Sequence, residues 1–130
     1  MERRQLAGDL HALVAPGLER RGFLAAFTER TGGHSEDPFR SLNLGFRTGD
    51  DPGRVRANRE RVVEALGVPP FAVARQRHGT DVARLGAADA AAGFEGPAAA
   101  LGDADILATT EARLPVAVLV ADCLPVVLGS

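Results

Sequence analysis

The chain's one cysteine, Cys123, sits in Ala121-Asp122-Cys123-Leu124-Pro125, directly after the strand-like run Pro115–Val120. His78, one of three histidines, sits in Gln76-Arg77-His78-Gly79, just beyond another apolar run, Phe71–Ala74. Strand exits are where open α/β sheets carry their chemistry. A thiolate and an imidazole together suit Zn2+ or copper, so the pair reads as half or more of a transition-metal site. A catalytic zinc takes three protein ligands and keeps one position open, and no pattern places His11 or His34 as the third. The two residues are distant in sequence. Spacing alone favours a blander alternative, with Cys123 a small buried hydrophobe and His78 a hydrogen-bonded turn residue. A third reading is a cysteine–histidine nucleophilic pair, in which His78 lowers the thiol pKa.

A metal-activated water works best beside a carboxylate that accepts its proton. Asp122 adjoins Cys123, and Asp103 and Asp105 precede an apolar run, so Asp105 and Asp122 are the candidates for that role. Support of a ligand from behind, or a strand-end cap, serves equally well as their explanation. The third feature is Thr28-Glu29-Arg30-Thr31-Gly32-Gly33-His34-Ser35. Paired glycines let backbone amides approach a ligand closely, and Arg30 could grip a phosphate with two parallel hydrogen bonds. It is not a P-loop, because no strand–GxxxxGK–helix arrangement surrounds it, and a plain tight turn explains it as well.

The elements that must position these residues follow from 130 residues that are 45% hydrophobic, a globular composition with enough length for one core. All 15 basic residues are arginine, and 17 acids bring the net charge to −2. The absence of lysine beside abundant Ala, Gly and Val reads as codon bias. Such a balance gives no support for a nucleic-acid surface. Arg54, Arg56, Arg59 and Arg61 cluster among acids and read as a solvated helix face. A lone cysteine forms no internal disulfide, and Asp9 and His11 interrupt the N-terminal apolar stretch, so neither an oxidising compartment nor a signal peptide is indicated. No run nears the roughly 20 apolar residues of a membrane span. The expected location is the cytoplasm.

Residues 22–28 read as a buried strand, with His11 in an N-terminal helix or arm before it. Glu29 to Asp50 is a long connection containing a short extended piece, Ser41–Gly45. Phe27, Phe39, Leu42, Leu44 and Phe46 argue that it is packed and functional. Asp51 and Pro52 begin a helix as cap and first residue, Val55, Val62, Val63 and Leu66 share one face, and Gly67 with Pro69-Pro70 ends it. Phe71–Ala74, Val82–Leu85, Ile106–Thr109, Pro115–Ala121 and Pro125–Leu128 are strand candidates, of which Pro115–Ala121 is the clearest. Residues 87–102 read as either a loose helix or a loop. Strands with one clear helix give an α/β or α+β domain.

Taken in order, Phe27-Thr-Glu-Arg30, Gly32-Gly33-His34-Ser35, Pro38-Phe39-Arg-Ser41-Leu42-Asn43-Leu44-Gly45, Gly49-Asp50-Asp51-Pro52, Val55, Asn58-Arg59, Gln76-Arg77-His78-Gly79, Asp103-Ala104-Asp105 and Ala121-Asp122-Cys123-Leu124-Pro125-Val126 form a pattern. It resembles the laccase-domain family, also called the bacterial purine nucleoside phosphorylase family of the YlmD/YfiH type. The resemblance covers roughly residues 22–128. It implies layered mixed β-sheets flanked by helices, of which residues 1–130 would form the N-terminal part of a single domain. It implies a zinc site using His78 and Cys123, with a third ligand from a later His-Ala-Gly-Trp-Arg-Gly motif that this chain lacks. The chain is therefore expected to be an N-terminal fragment with exposed strand edges and poor solubility.

The activity so implied is phosphorolysis of adenosine, inosine and guanosine to free base and ribose 1-phosphate, accompanied by methylthioadenosine phosphorolysis and adenosine deamination. Purine nucleosides and phosphate would be the partners, without nucleic acid or membrane, and a homodimer is left open. Within that chemistry Arg30 would balance phosphate charge, while Ser35 and Asn43 would hydrogen-bond ribose or phosphate. Copper-dependent polyphenol oxidation is the alternative the resemblance also carries, although a multicopper cluster needs more imidazoles than three. A non-catalytic role in editing peptidoglycan precursors is a further alternative.

Overall fold

The computed structural model describes residues 1–97 and 101–130. The chain opens with a hairpin, β1 (Glu2–Ala7) and β2 (Leu10–Val14), turning at Gly8-Asp9. Gly8 has φ +55°, a left-handed value that glycine adopts without strain. The pairing runs from Glu2↔Val14 to Ala7↔Leu10, with an irregularity between Gln5 and Ala7. In β2 the side chains of Leu10, Ala12 and Val14 are buried in alternation, the period-two pattern of a sheet with one face covered. After a single helical turn, α1 (Pro16–Glu19), β3 (Ala26–Thr28) adds antiparallel to β2 and completes a three-stranded sheet ordered β1-β2-β3. His11 therefore lies in a central strand and not in a helix or arm. The signal was present in the Leu10/Ala12/Val14 alternation after a Gly-Asp turn.

The long connection 29–50 runs without strand pairing, including the piece 41–45 expected to be extended. It is packed, as its apolar residues required: Leu42 is buried against Leu10 and Val62, with Leu44 beside them. The helix α2 (Pro52–Leu66) follows the expected boundaries. The Asp51 carboxylate accepts from the Arg54 N–H at 3.0 Å, satisfying one of the orphan donors of the first turn. At the other end Gly67 has φ +65°, and the Gly67 and Val68 N–H groups donate back to the Glu64 and Val63 carbonyls. Val62 packs α2 onto the β2 face, and Arg61 Nη2 donates to the Ala7 carbonyl at 3.3 Å.

The second half holds β4 (Val82–Leu85) and β5 (Ile106–Thr109), paired in parallel from Val82↔Ile106 to Leu85↔Thr109. Parallel neighbours need a crossover. The connection opens with a 3-10 turn at Ala87–Asp89 and continues in turns through residues 90–93; residues 98–100 lie outside the described residues. Phe71, Val73 and Phe94 form one core cluster, with the Phe71 and Phe94 rings edge to face at 4.9 Å. Ala72, Leu85 and Leu114 form another. Both sheet types and the helices together make a mixed α/β fold.

Several expected strands are shorter than their apolar runs. Residues 22–25 precede β3 without joining it. The runs 71–74 and 115–121 share a single parallel bridge, Ala72↔Val116, and 125–128 forms no strand. A strand is defined by its partners, and among the described residues 115–121 makes a single bridge, to Ala72. Val116, Val118 and Val120 keep the alternating pattern but stand partly in water. No helix among the described residues is long and apolar enough to cross a membrane.

Candidate metal centre

His78 and Cys123 each follow one of two extended segments that lie side by side. The Ala72 N–H donates to the Pro115 carbonyl and the Ala117 N–H donates to the Ala72 carbonyl, each at 2.9 Å, so 71–76 and 115–119 run side by side in the same direction. Further along, the Gln76 side chain imitates a strand. Its Nε2 donates to the Leu119 carbonyl at 2.9 Å and its Oε1 accepts from the Leu119 N–H at 2.7 Å. Both chains then leave the seam, one into His78 and the other into Cys123, and both residues are exposed. Gln76 was legible only as the first letter of Gln-x-His-Gly; its stitching role depends on a backbone far away in sequence.

Cys123 is a free, exposed thiol with Asp122 Oδ1 3.9 Å from its Sγ. That removes the reading of Cys123 as a small buried hydrophobe. An imidazole and a thiol suit zinc in type. Among the described residues, however, no group of three His, Cys, Asp or Glu stands ready to hold an ion. His11, half-buried in β2, and His34, exposed in the 29–50 loop, do not complete the set. The described residues thus do not by themselves form a full coordination shell.

Asp105, expected to move protons, is otherwise committed. Its carboxylate accepts from the Gly79 N–H at 2.9 Å, the His78 N–H at 2.9 Å and the Arg77 N–H at 3.1 Å. The Gly79 N–H contributes most to holding this carboxyl below its usual range, burial opposes it, and the Arg77 and His78 N–H groups reinforce it. Asp103 pairs with Arg75 and, at 3.7 Å, with Arg77 Nε. The Arg75 hydrogen bond chiefly holds its carboxyl low.

The residues expected to bind substrate sit in the 29–50 loop. Arg30 is exposed, and its Nε donates to the Arg40 carbonyl at 2.9 Å. Ser35 and Asn43 are not free donors. The buried Ser35 hydroxyl donates to Asp50 Oδ2 at 2.6 Å and accepts from Asn58 Nδ2 at 2.9 Å. Asn43 Nδ2 donates to the same Asp50 oxygen at 3.0 Å and to Thr48 Oγ1 at 2.8 Å, while its Oδ1 accepts from the Gly45 N–H at 3.0 Å. Asn58, wholly buried on α2, ties the loop down: Nδ2 donates to the Ser41 and Asn43 carbonyls and Oδ1 accepts from the His34 N–H at 2.6 Å. Hydroxyl and amide groups so occupied shape the loop that carries Arg30; they are not turned toward a ligand.

Within the arginine cluster on α2, Arg54 and Arg56 keep to the solvated face expected, pairing with exposed Glu36 and Glu95, but Arg59 does not. Arg59 is 2% exposed. Its Nε donates to the Leu44 carbonyl and its Nη1 to the Gly93 and Phe94 carbonyls, at 2.7 to 2.9 Å, and its guanidinium lies 4.5 Å from the Phe46 ring centre. Burial pulls its pKa down to about 10, which leaves it charged at neutral pH. Such a charge is tolerated because carbonyl dipoles and ring faces replace water.

Known proteins resemble this chain in sequence and in fold. The chain is 47% identical over 105 residues to the Streptomyces coelicolor protein named purine nucleoside phosphorylase SCO2081, covering 79% of this chain and 40% of that one. It is 37% identical over 115 residues to the Escherichia coli protein named purine nucleoside phosphorylase YfiH, covering 88% of this chain and 44% of that one. The crystal structure of YlmD from Geobacillus stearothermophilus superposes with a TM-score of 0.78 at 34% identity, over 88% of this chain and 42% of that chain. This chain thus spans about 40% of the length of the curated relatives it matches. Residues 24–130 match the family model described as multi-copper polyphenol oxidoreductase laccase, and with relatives of this similarity the chain belongs to that family, the YlmD/YfiH family.

Proposed function

We propose that the complete protein is a zinc-dependent purine nucleoside phosphorylase, with His78 and Cys123 as two of the metal ligands and a histidine outside this chain as the third. The observation that supports this reading is the parallel seam of 71–76 and 115–119, from which one segment runs on to His78 and the other to Cys123. The relatives' names, purine nucleoside phosphorylase, agree with it. When bound there, zinc supplies a fixed positive charge that polarises an oxygen ligand.

Residues of this chain have distinct tasks in that chemistry. In phosphorolysis a phosphate oxygen bonds to the anomeric carbon as the bond to the purine nitrogen breaks, and the purine takes the electron pair and a proton. The anomeric carbon gains positive character on the way, as in glycoside cleavage. Arg30 offers its guanidinium to the phosphate, whose charge must be balanced before it can approach. The Asn58–Ser35–Asn43–Asp50 network keeps the Arg30 loop in one conformation, so the arginine need not be ordered by substrate. Asp122, next to Cys123, would move protons both in phosphorolysis and in the deamination of adenosine, where water adds to C6 and ammonia departs. Methylthioadenosine fits the same scheme, since its ribose–purine bond is of the same kind. An exposed free thiol used as a metal ligand suits the reducing cytoplasm.

The test is chromatographic. Complete protein, assayed for zinc content, is incubated with adenosine with and without phosphate. Phosphate-dependent release of adenine and ribose 1-phosphate is expected. His78→Ala and Cys123→Ala should each lose bound zinc and reduce turnover by on the order of 100-fold or more. Full phosphorolysis by metal-free protein, or by both variants, overturns the reading. Oxygen consumption with a polyphenol by copper-loaded protein, in place of phosphorolysis, would favour the oxidase alternative.

A further inference from the structure

We propose that Asp105 is a positioning residue whose carboxylate clasps the Arg77-His78-Gly79 turn and so fixes the direction in which the His78 imidazole is presented. The proposal rests on the reading of His78 as a metal ligand given above. Three successive backbone N–H groups converge on one carboxylate at 2.9 to 3.1 Å. Successive amides that point inward make a concave nest for an anion, and here the protein supplies that anion from its own chain. His78 itself has φ +59°, a left-handed backbone that costs a residue with a Cβ and persists only where its surroundings hold it. The clasp is that restraint.

Asp105 is in turn firmly seated. It stands one residue before β5, its own N–H and that of Ile106 donate to the Asp81 carbonyl at 3.2 Å, and Asp81 stands one residue before β4. The preceding Ala104 is buried, and its N–H donates to the Arg75 carbonyl at 3.2 Å. The carboxylate is thus mounted on the β4–β5 pair, while Gln76 ties the same turn to 115–119. Between them the two side chains fix both ends of the approach to His78. A carboxylate acting as a proton acceptor would instead need an oxygen turned outward, and three amides already occupy this one.

The test uses the complete protein and three readouts: zinc affinity by competition with a chromophoric chelator, the visible absorption of the Co2+-substituted protein, and amide hydrogen exchange in the metal-free state. His78→Ala is the reference. Asp105→Ala should weaken zinc binding about 10- to 100-fold, shift the Co2+ bands, and speed exchange at residues 77–79 without lowering the melting temperature to the same degree. Asp105→Asn keeps one acceptor oxygen for three donors and should fall between, a partial rescue. An Asp105→Ala protein with wild-type affinity, bands and exchange overturns the proposal; should that variant not fold, a folded Asp105→Asn with wild-type values does the same. If His78→Ala retains wild-type zinc affinity, the metal reading is what fails. Unchanged exchange at 77–79 in metal-free Asp105→Ala would then sink the clasp separately.

Discussion

At Arg59 a full positive charge is held by three carbonyl oxygens and two aromatic faces, with no carboxylate among the described residues in hydrogen-bond contact. Replacing it with methionine keeps much of the volume but strands the Leu44, Gly93 and Phe94 carbonyls. Arg59→Met should destabilise by about 2–4 kcal/mol, read as a lower urea midpoint. Asp50 allows a pH test. Burial works against its charged form, but the Ser35, Asn43 and Asp51 hydrogen bonds outweigh that and hold its carboxyl below the usual range. The stability this adds is fully present above the unfolded carboxylate pKa of about 3.9 and is lost as pH falls through the lower folded value. The urea midpoint of the wild type should therefore drop more steeply below pH 4 than that of Asp50→Asn; parallel profiles would contradict the assignment. Neither residue announced this in the sequence. A helical arginine among acids looks solvated, because the oxygens that cradle it come from residues 44, 93 and 94.

Among the elements, α2 and the 29–50 loop show opposite kinds of legibility. The bounds of α2 were readable because Asp51, Pro52 and Gly67 act on their own neighbours. The loop's packing was readable from its apolar residues, but its polar contacts were not: Ser35 and Asn43 looked like ligand-binding groups until Asp50 and Asn58 were seen to occupy them. The runs 71–74 and 115–121 had the composition of strands and became a single bridge, since ladders need neighbours that a local pattern cannot supply. Two glycines separate conformational from steric demand. Gly67→Ala meets nothing within 4 Å and should cost about 1 kcal/mol for its left-handed backbone. Gly33→Ala would place its Cβ 2.6 Å from Leu42 Cα and against the Ser41 carbonyl, so backbone must move. It should cost clearly more in thermal unfolding, and equal losses would refute the crossing of 33 over 41–42.

On the scale of the molecule, the last fifteen residues leave much apolar surface in water. Leu124 is 87% exposed and Leu128 91%, and Val116, Val118 and Val120 are exposed as well. Surfaces of this kind associate. The 130-residue chain by itself should bind a dye such as ANS strongly and self-associate as concentration rises, by light scattering; a dye-silent monomer at high concentration would contradict this. The overall α/β class was legible from motif order. The strands expected to lead into His78 and Cys123 were not formed: the two runs share one bridge, and their seam was illegible because its key contact is a side chain, Gln76, standing in for a peptide unit.

That stand-in has a consequence for assembly. Side chains along an extended segment alternate faces, and each residue advances it by about 3.3 Å. Were 115–119 to slip by one position against 71–76, Cys123 would move by that length and turn to the opposite side. Gln76 reads the N–H and the C=O of one residue, Leu119, so it acts as a latch that closes only in the correct alignment, and any ion shared by His78 and Cys123 would reward the same threading.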